Sequence, residues 1–246
     1  MSPNLRLNKA LARAGVCSRR KADDLVFSGR VKVNEEVAQE PGSRVDPERD
    51  KISVDDRPVR LLPDEERRLA YVMMNKPVQV VTTMSDPGGR VKVTDLLPDS
   101  LRYLRLFPVG RLDYFSQGLL ILTNDGDLAH RLTHPSRKTP KVYRVKMRGE
   151  LSKKKLQVMR QGMELSEGEK LAPVEVKILQ QTRNSILAEM TLVQGINRQI
   201  RRMCRDLDLV VLSLVRIRQG SLALGDLKPG EWRYLEPGEV SSLKKM

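Results

Sequence analysis

The chain has 246 residues, enough for one large domain or two modest ones, and 39% of them are hydrophobic, so it can bury a proper core. The formal net charge of +14 favours a polyanionic partner, nucleic acid before others, because such a field attracts phosphates. An anionic membrane surface is the rival, but it would need a basic amphipathic helix with exposed apolar side chains, and the chain has only one Trp.

Membrane and secretory segments are not expected. We find no run of about 18 apolar residues, and "MSPNLRLNKALARAG" lacks the apolar core and cleavage site of a secretory signal. Two cysteines, Cys17 and Cys204, cannot form a disulfide framework or a four-thiolate zinc site. These features predict a cytoplasmic protein whose thiols lie in the core or on the surface.

Residues 4–60 are predicted to form one small, compact unit. Apolar spacing predicts a helix over 7–14 that ends at Gly15, and a second helix from the N-cap Ser18 to just before Gly29. "RVKVNEEVA" alternates around an Asn-Glu turn and predicts a hairpin, and "DKISVDDRPV" predicts a further strand with a polar turn.

The charge of this unit is lopsided, since residues 4–32 hold eight basic and two acidic residues. A solvated helix face is the plain interpretation. The functional interpretation is a surface that binds the phosphates of a nucleic acid and gives affinity without sequence readout. The candidate phosphate-binding residues of this unit are Arg6, Lys9, Arg13, Arg19, Arg20, Lys21 and Arg30.

The stretch "LLPDEERRLA" is a charged, Pro-containing join, so we predict domains over 1–60 and 70–246 with a linker over 61–69. Beyond it, strand-like runs ("YVMMNKP", "VQVVTT", "LLILTN", "KVYRVKM", "VEVKIL", "SILAEMTLV") alternate with helix-like segments ("DLAHRLTH", "KKKLQVMRQG"). The short links predict an α+β fold with a mainly antiparallel sheet flanked by helices.

The segment "FPVGRLDYFSQGLLILTNDG" is the first candidate for chemistry. Asp113 lies on a loop beside Arg111 and before an apolar run, Leu119–Leu122, which predicts a buried strand that anchors the loop. A loop held by a rigid scaffold is a usual place for catalytic groups. An Asp that merely forms a turn is the alternative.

"QGINRQIRRMCRD", residues 194–206, is the second candidate. It carries Arg198, Arg201, Arg202 and Arg205, and no acid precedes the final Asp. The plain interpretation is a basic surface helix. The functional one is a phosphate clamp in which one Arg pairs with Asp113 and keeps that carboxylate ionised.

Tyr143, in the strand-like run "KTPKVYRVKM", is either a packing residue or, in an RNA enzyme, a platform for an extruded base or a proton-transfer group. His130 and His134 have the spacing of two metal ligands on one helical face. No third ligand suggests itself and Pro135 ends the helix, so no metal is predicted.

These motifs resemble the RsuA/RluB/RluF-type pseudouridine synthases. "GRLDYFSQGLLILTNDG" is similar to their GRLD…GLLLLTNDG motif, and "MMNKPVQVVTT", "HPSRKTPKVYRV", "QGINRQIRRM" and "LVRIRQGSLALGDLKPGEWRYL" follow in the family's order. "RLNKALARAGVCSRRKADDLVFSGRVKVNEE" resembles the small RNA-binding module of the S-four type. The likeness spans residues 5 to about 237 and looks strongest to the RluF branch, which acts on large-subunit ribosomal RNA.

The resemblance implies an isomerase that converts a uridine in ribosomal RNA, with a transfer RNA as a second possibility, to pseudouridine without a cofactor or metal. Asp113 matches the nucleophile, Tyr143 the residue that stacks on uracil and aids proton transfer, and Arg201 the partner of the carboxylate. Arg111 matches the Arg that fills the gap left by the extruded base, and Arg198 and Arg202 are expected to contact RNA. A monomer is expected.

The sequence departs from the family pattern in two places. Tyr114 and Phe115 replace the small or polar residues that follow the motif's Asp, and Gln79 replaces the Gly of "KPxG". The alternative function is a non-catalytic RNA-binding ribosome assembly factor on the same fold. A nuclease that uses Asp113 with Asp125 or Asp127 ranks last, because the clustered carboxylates of such sites are missing.

Overall fold

The computed structural model describes residues 4–62, 66 and 68–246. The chain divides into two compact units, Met1–Arg68 and Leu69–Met246. The predicted linker contains residues 63–65 and 67, which lie outside the described residues, so the predicted domain limits stay a prediction.

The N-terminal unit packs two helices on short strands. The helices are α1 (Leu7–Arg13) and α2 (Arg19–Phe27), and the strands are β1 (Leu5–Arg6), β2 (Val31–Val33), β3 (Glu36–Val37), β4 (Arg44–Val45), β5 (Ile52–Val54) and β6 (Arg57–Val59). Strand β1 pairs with β4, and an antiparallel sheet has the order β3-β2-β5-β6. Apolar residues from both helices and from β2, β4 and β5 form its core.

The local predictions for this unit are confirmed. The Ser18 side chain accepts a hydrogen bond from the backbone N–H of Lys21 and so caps α2. The Asn-Glu turn joins β2 to β3, with both turn residues at positive φ, as a tight hairpin requires. The predicted strand with a polar turn is a second hairpin, β5–β6.

The C-terminal unit is built on a nine-stranded sheet. Its strands are β7 (Tyr71–Lys76), β8 (Phe107–Pro108), β9 (Gln117–Thr123), β10 (Lys141–Arg148), β11 (Glu175–Gln181), β12 (Ile186–Leu192), β13 (Val210–Gln219), β14 (Leu222–Ala223) and β15 (Trp232–Tyr234). The order is β11-β12-β10-β13-β9-β7-β15, with β14 on β13 and β8 on β9. Strands β9 and β13 are parallel and the other neighbours are antiparallel, so the predicted α+β class is confirmed.

Helices flank this sheet. They are α3 (Asp99–Arg102), α4 (Gly126–Thr133), α5 (Lys153–Gln161), α6 (Gln199–Asp206) and α7 (Pro237–Lys244), with short 3-10 helices at Val93–Leu96 and Pro135–Arg137. Among the described residues, no helix is long and apolar enough to cross a membrane.

The central strands are buried on both faces. Along β9, Leu120 and Leu122 pack into one hydrophobic core, while Leu119 and Ile121 pack into the core on the opposite face. This is why the sequence shows a continuous apolar run here instead of an alternation. The predicted anchor strand after the Asp113 loop is therefore confirmed.

One predicted strand is wrong. In "VQVVTT", Val81 makes only an isolated bridge to Lys92. Gln79 has a left-handed backbone, φ 62°, which turns the chain away from β7 and prevents a regular strand.

Candidate active site

Asp113 lies in the tight loop between β8 and β9. Gly110 enters this loop with φ 78°, a conformation that suits glycine. The backbone N–H of Ser116 then donates to the main-chain carbonyl oxygen of Asp113 at 3.0 Å and closes a turn. Asp113 itself is half-buried, and its strand anchor is fully buried.

Every carbonyl of this loop from Leu112 to Ser116 accepts a hydrogen bond. Beyond the Asp113–Ser116 turn, the donors are the Thr82 hydroxyl to Leu112, the Gln79 N–H to Tyr114, the Arg201 guanidinium to Phe115 and the Lys76 ammonium to Ser116, at 2.7–2.9 Å. A loop held at five successive positions has little freedom, which is the preorganisation that a reacting group needs.

Lys76 supports the loop from inside the fold. Its ammonium is fully buried at the end of β7 and donates to the main-chain oxygens of Pro77 and Ser116. Burial lowers the pKa of Lys76 to about 8, the charge of Asp113 raises it, and that of Arg216 lowers it. The carboxylate and the ammonium therefore stabilise each other.

Tyr143 faces the same cleft from β10. It packs against two of the hydrophobic cores. Across β10 and β13, Tyr143 pairs with Arg216, and Lys141 pairs with Gln219, with a bulge between the two pairs. Opposite residues on antiparallel strands share a face, so these four side chains lie on one side of the sheet.

Asp113, Tyr143 and Arg216 line one cleft of about 940 Å³. Among the described residues that line it, Asp113 is the one acid. The basic ones are Arg111, Lys138, Lys141, Arg198 and Arg216. Burial, together with the charge of Arg216, lowers the pKa of Lys141 to about 8. Such a cleft attracts a polyanion and places a single carboxylate inside it.

The expected ion pair between Arg201 and Asp113 needs correction. Within the described part of the chain the two side chains make no direct ion pair, and the Arg201 guanidinium donates to the Phe115 oxygen at 2.8 Å. Burial lowers the pKa of Arg201, while the charge of Asp113 raises it, so the two groups still interact through space. In this structure Arg201 braces the Asp113 loop through its main chain.

The other arginines of α6 differ in their surroundings. Arg198 is exposed, lines the cleft and precedes α6 with φ 50°. Arg202 is ion-paired with both Glu167 and Glu169, and these pairs raise its pKa. Arg205 pairs with Glu167 as well. The predicted RNA contacts of Arg198 and Arg202 are not equivalent, because only Arg202 is held by two carboxylates.

Most of the predicted RNA-binding cations of the N-terminal unit lie at its surface. Arg6, Arg19, Arg20 and Lys21 are exposed, with Lys9 and Arg13 half-buried. Arg30 instead makes a bidentate pair with Asp55, at 2.6 and 2.5 Å, which raises its pKa. Its role as an RNA contact stays a prediction, because an RNA phosphate would have to compete with Asp55 for the guanidinium.

The alternative carboxylate and histidine sites have structural explanations. Asp125 caps α4 through one oxygen and accepts from the Tyr71 hydroxyl through the other. The His130 and His134 rings are 4.8 Å apart, but His134 bonds with Ser136. In the ranges described, no group of three potential metal ligands is found.

Sequence reasoning missed four supporting residues of the site. Lys76 and Thr82 anchor the loop, and Arg216 and Gln219 lie beneath the cleft. The signal for Lys76 was present, since a lysine ending the apolar run "YVMMNK" is unusual in a buried strand. The buried positions of Arg216 and Gln219 follow a bulge, which the sequence pattern does not reveal.

Among the described residues of the cleft, one carboxylate lies on a braced loop between basic walls, an arrangement that fits an enzyme site for a polyanionic substrate. Comparison with known proteins identifies the class. Residues 70–206 match the family described as RNA pseudouridylate synthase, and residues 5–52 match the S4 domain.

Relatives match nearly the whole chain. An uncharacterised RNA pseudouridine synthase of Aquifex aeolicus (strain VF5) is 43% identical over 242 residues, covering 98% of this chain and 94% of that protein. Ribosomal large subunit pseudouridine synthase B of Bacillus subtilis (strain 168) is 38% identical over 243 residues, covering 98% and 96%. A solved pseudouridylate synthase superposes with a TM-score of 0.70 at 27% identity, over 97% of this chain and 99% of that one.

The chain therefore belongs to the RNA pseudouridine synthases of the RsuA/RluB type, and it is an isomerase with an S4 domain at its N-terminal side. The family resemblance of the sequence is confirmed. The likeness to the RluF branch stays a prediction from the motifs.

Proposed function

We propose that this enzyme converts one uridine of large-subunit ribosomal RNA to pseudouridine, with Asp113 as the nucleophile. The observation that carries the proposal is the position of Asp113, the one acid among the described residues of a basic cleft, on a loop braced at five carbonyls. The name of the Bacillus subtilis relative supports the large subunit as the source of the substrate.

The reaction is an isomerisation. The bond between N1 of uracil and C1′ of the ribose breaks, a bond between C5 and C1′ forms, the proton on C5 is lost and N1 gains a proton. Asp113 attacks the nucleotide, at C1′ or on the ring, and forms a transient covalent bond while the base is turned. That bond breaks before the product leaves, so the carboxylate is regenerated. A base that reacts in this way must leave its stack, which costs a few kcal/mol that phosphate contacts offset.

Neighbouring residues take supporting roles. Tyr143, on the cleft side of β10, stacks on the flipped uracil and assists removal of the C5 proton. Arg201 holds the loop and adds positive charge near the carboxylate. Arg111, exposed at the rim, occupies the gap that the flipped base leaves.

The S4 domain adds affinity for RNA phosphates through its exposed cations, and the enzyme acts in the cytoplasm during ribosome biogenesis. The same fold could serve a non-catalytic assembly factor. The braced, solitary carboxylate favours catalysis, because an RNA-binding surface does not need an acid at its centre.

Asp113→Asn tests the proposal. Ribosomal RNA from a strain lacking the gene is incubated with wild type or variant, and pseudouridines are mapped. We expect wild type to restore one site in large-subunit RNA and Asp113→Asn to lower the rate by at least about 1000-fold with RNA binding retained. Asp226→Asn, an exposed acid of the same unit, is the matched control. Normal turnover by Asp113→Asn would overturn the mechanism, and full rescue of the strain by Asp113→Ala would support the assembly factor.

A further inference from the structure

Buried polar atoms without a partner cluster at the cleft. In the described part of the chain the buried side-chain atoms that lack a hydrogen-bond partner are Asn75 Oδ1, Ser116 Oγ, Gln199 Oε1, Arg216 Nη2, and Gln219 Nε2 and Oε1. All except the Asn75 atom belong to residues that line the cleft. Each such group costs about 1–3 kcal/mol, so their concentration in one place suggests a ligand that completes them.

Arg216 and Gln219 are the best placed of these residues. Arg216 lies opposite Tyr143, the proposed stacking residue, and both Arg216 and Gln219 face the cleft from β13. The exposed fraction of Arg216 is 2% and that of Gln219 is 0%. Arg216 Nε donates to the Leu119 oxygen at 2.7 Å, which fixes the guanidinium and leaves Nη2 to bond elsewhere.

The unpaired atoms match the polar edge of uracil. Gln219 offers one donor, Nε2, and one acceptor, Oε1, and Arg216 offers a donor, Nη2. The Watson–Crick edge of uracil presents two carbonyl acceptors on either side of the N3–H donor. The amide can therefore bind N3–H and one carbonyl together, while the guanidinium binds the other carbonyl.

We propose that Arg216 and Gln219 read the Watson–Crick edge of the target uracil while Tyr143 holds its face. This inference rests on the proposed function and names the residues that select the base. The Gln219 amide makes no hydrogen bond to the described residues, so turning it towards the base breaks none. A purely structural role for Arg216 explains the hydrogen bond from its Nε to the Leu119 oxygen. That role does not explain why Arg216 Nη2 and the Gln219 amide are buried without a hydrogen-bond partner.

The test is a double-mutant cycle that combines loss of the Gln219 amide in the protein with methylation of N3 in the target uridine. The substrate is a ribosomal stem-loop that carries the mapped uridine, synthesised with either uridine or N3-methyluridine at that position. Single-turnover rates are measured for wild type, Gln219→Ala and Gln219→Met. We expect methylation to slow wild type by about 100-fold, since it removes the N3–H donor and one bond to a buried amide.

In both variants we expect the rate on uridine to fall by about 10-fold or more and the methylation penalty to shrink below about 10-fold. Gln219→Met keeps the side-chain length, so it tests the idea if Gln219→Ala unfolds in thermal melts. Arg218→Gln, on an exposed neighbour in β13, is the control and should keep the full penalty.

Three results would overturn the inference. Equal rates of the wild type on N3-methyluridine and on uridine would mean that the enzyme does not recognise the Watson–Crick edge of the base. The penalty could be the same in wild type and both Gln219 variants, as a structural role predicts. A wild-type enzyme that makes no pseudouridine in the unmodified stem-loop would instead overturn the proposed function, and this inference with it.

Discussion

Gly118 lies directly against the main chain of Arg216. A Cβ atom on Gly118 would come within 2.3 Å of the Arg216 oxygen and 2.5 Å of its nitrogen. The two residues pair where β9 runs parallel to β13, and Gly118 has φ 117°. Because β9 follows the Asp113 loop, this contact sets the spacing between the proposed nucleophile and the strand that carries Arg216.

We therefore expect Gly118→Ala to disrupt both the fold and the site. Overpacking against backbone and a strained φ together should lower the free energy of unfolding by about 3 kcal/mol or more. Urea unfolding measures this, with Gly126→Ala as the control, since a Cβ on Gly126 meets nothing within 4 Å. A Gly118→Ala protein as stable as wild type would show that the strands separate more easily than the packing implies.

Because of Lys76, the free energy of unfolding should change with pH in the alkaline range. Its pKa is about 8 in the folded protein, against 10.5 for an ordinary exposed lysine, so between these values the unfolded chain binds more protons. Stability attributable to this group therefore rises as pH increases from about 8 to about 10.5. Lys141 acts in the same direction, while Cys204, whose pKa burial raises to about 12, opposes both.

The difference between wild type and Lys76→Met isolates the Lys76 contribution. We expect wild type to gain stability relative to Lys76→Met between about pH 7.5 and about pH 10, measured by urea midpoints at each pH. Lys153→Met, which changes an exposed lysine of α5, should give a pH-independent difference. A pH-independent difference for Lys76→Met would mean that its folded pKa is ordinary.

Arg198 and Arg202 should affect RNA binding unequally. Arg198 is exposed at the cleft, whereas Glu167 and Glu169 already neutralise Arg202. Arg198→Gln should reduce the salt slope of RNA binding by about 1, as expected for one lost phosphate contact. Arg202→Gln should change it much less. Filter binding at several salt concentrations decides this, and equal slopes for both variants would contradict the comparison.

Replacing Gln79 with glycine should stabilise the folded protein. Its φ of 62° lies in the left-handed region, which costs a residue with a side chain about 1 kcal/mol. We expect Gln79→Gly to raise the free energy of unfolding by up to about 0.5 kcal/mol, because the relief exceeds the extra entropy of the unfolded glycine. Val78→Gly, at a neighbour outside the positive-φ set, should destabilise instead, and a thermal melt distinguishes the two.

Local structure and the choice of Asp113 as candidate nucleophile could be predicted from the residue pattern alone. Ser18 as a cap, the hairpin around Asn34 and Glu35, and the buried strand after Asp113 all depend on residues close together in the chain. Capping, turn chemistry and hydrophobic periodicity act over such short separations, so pattern alone predicts them. The ordered motifs around Asp113 and Tyr143 likewise identified the family.

The contacts that hold the candidate site depend on how distant parts of the chain pack together. Lys76 reaches Ser116, Arg201 reaches the Phe115 oxygen in place of Asp113, and Arg216 rests on Gly118. These partners lie 40 to about 100 residues apart, and strand register, a bulge and burial bring them together. A hydrogen bond depends on tenths of an ångström, which residue type and spacing do not specify, so the choice of partner is made only when the strands pack.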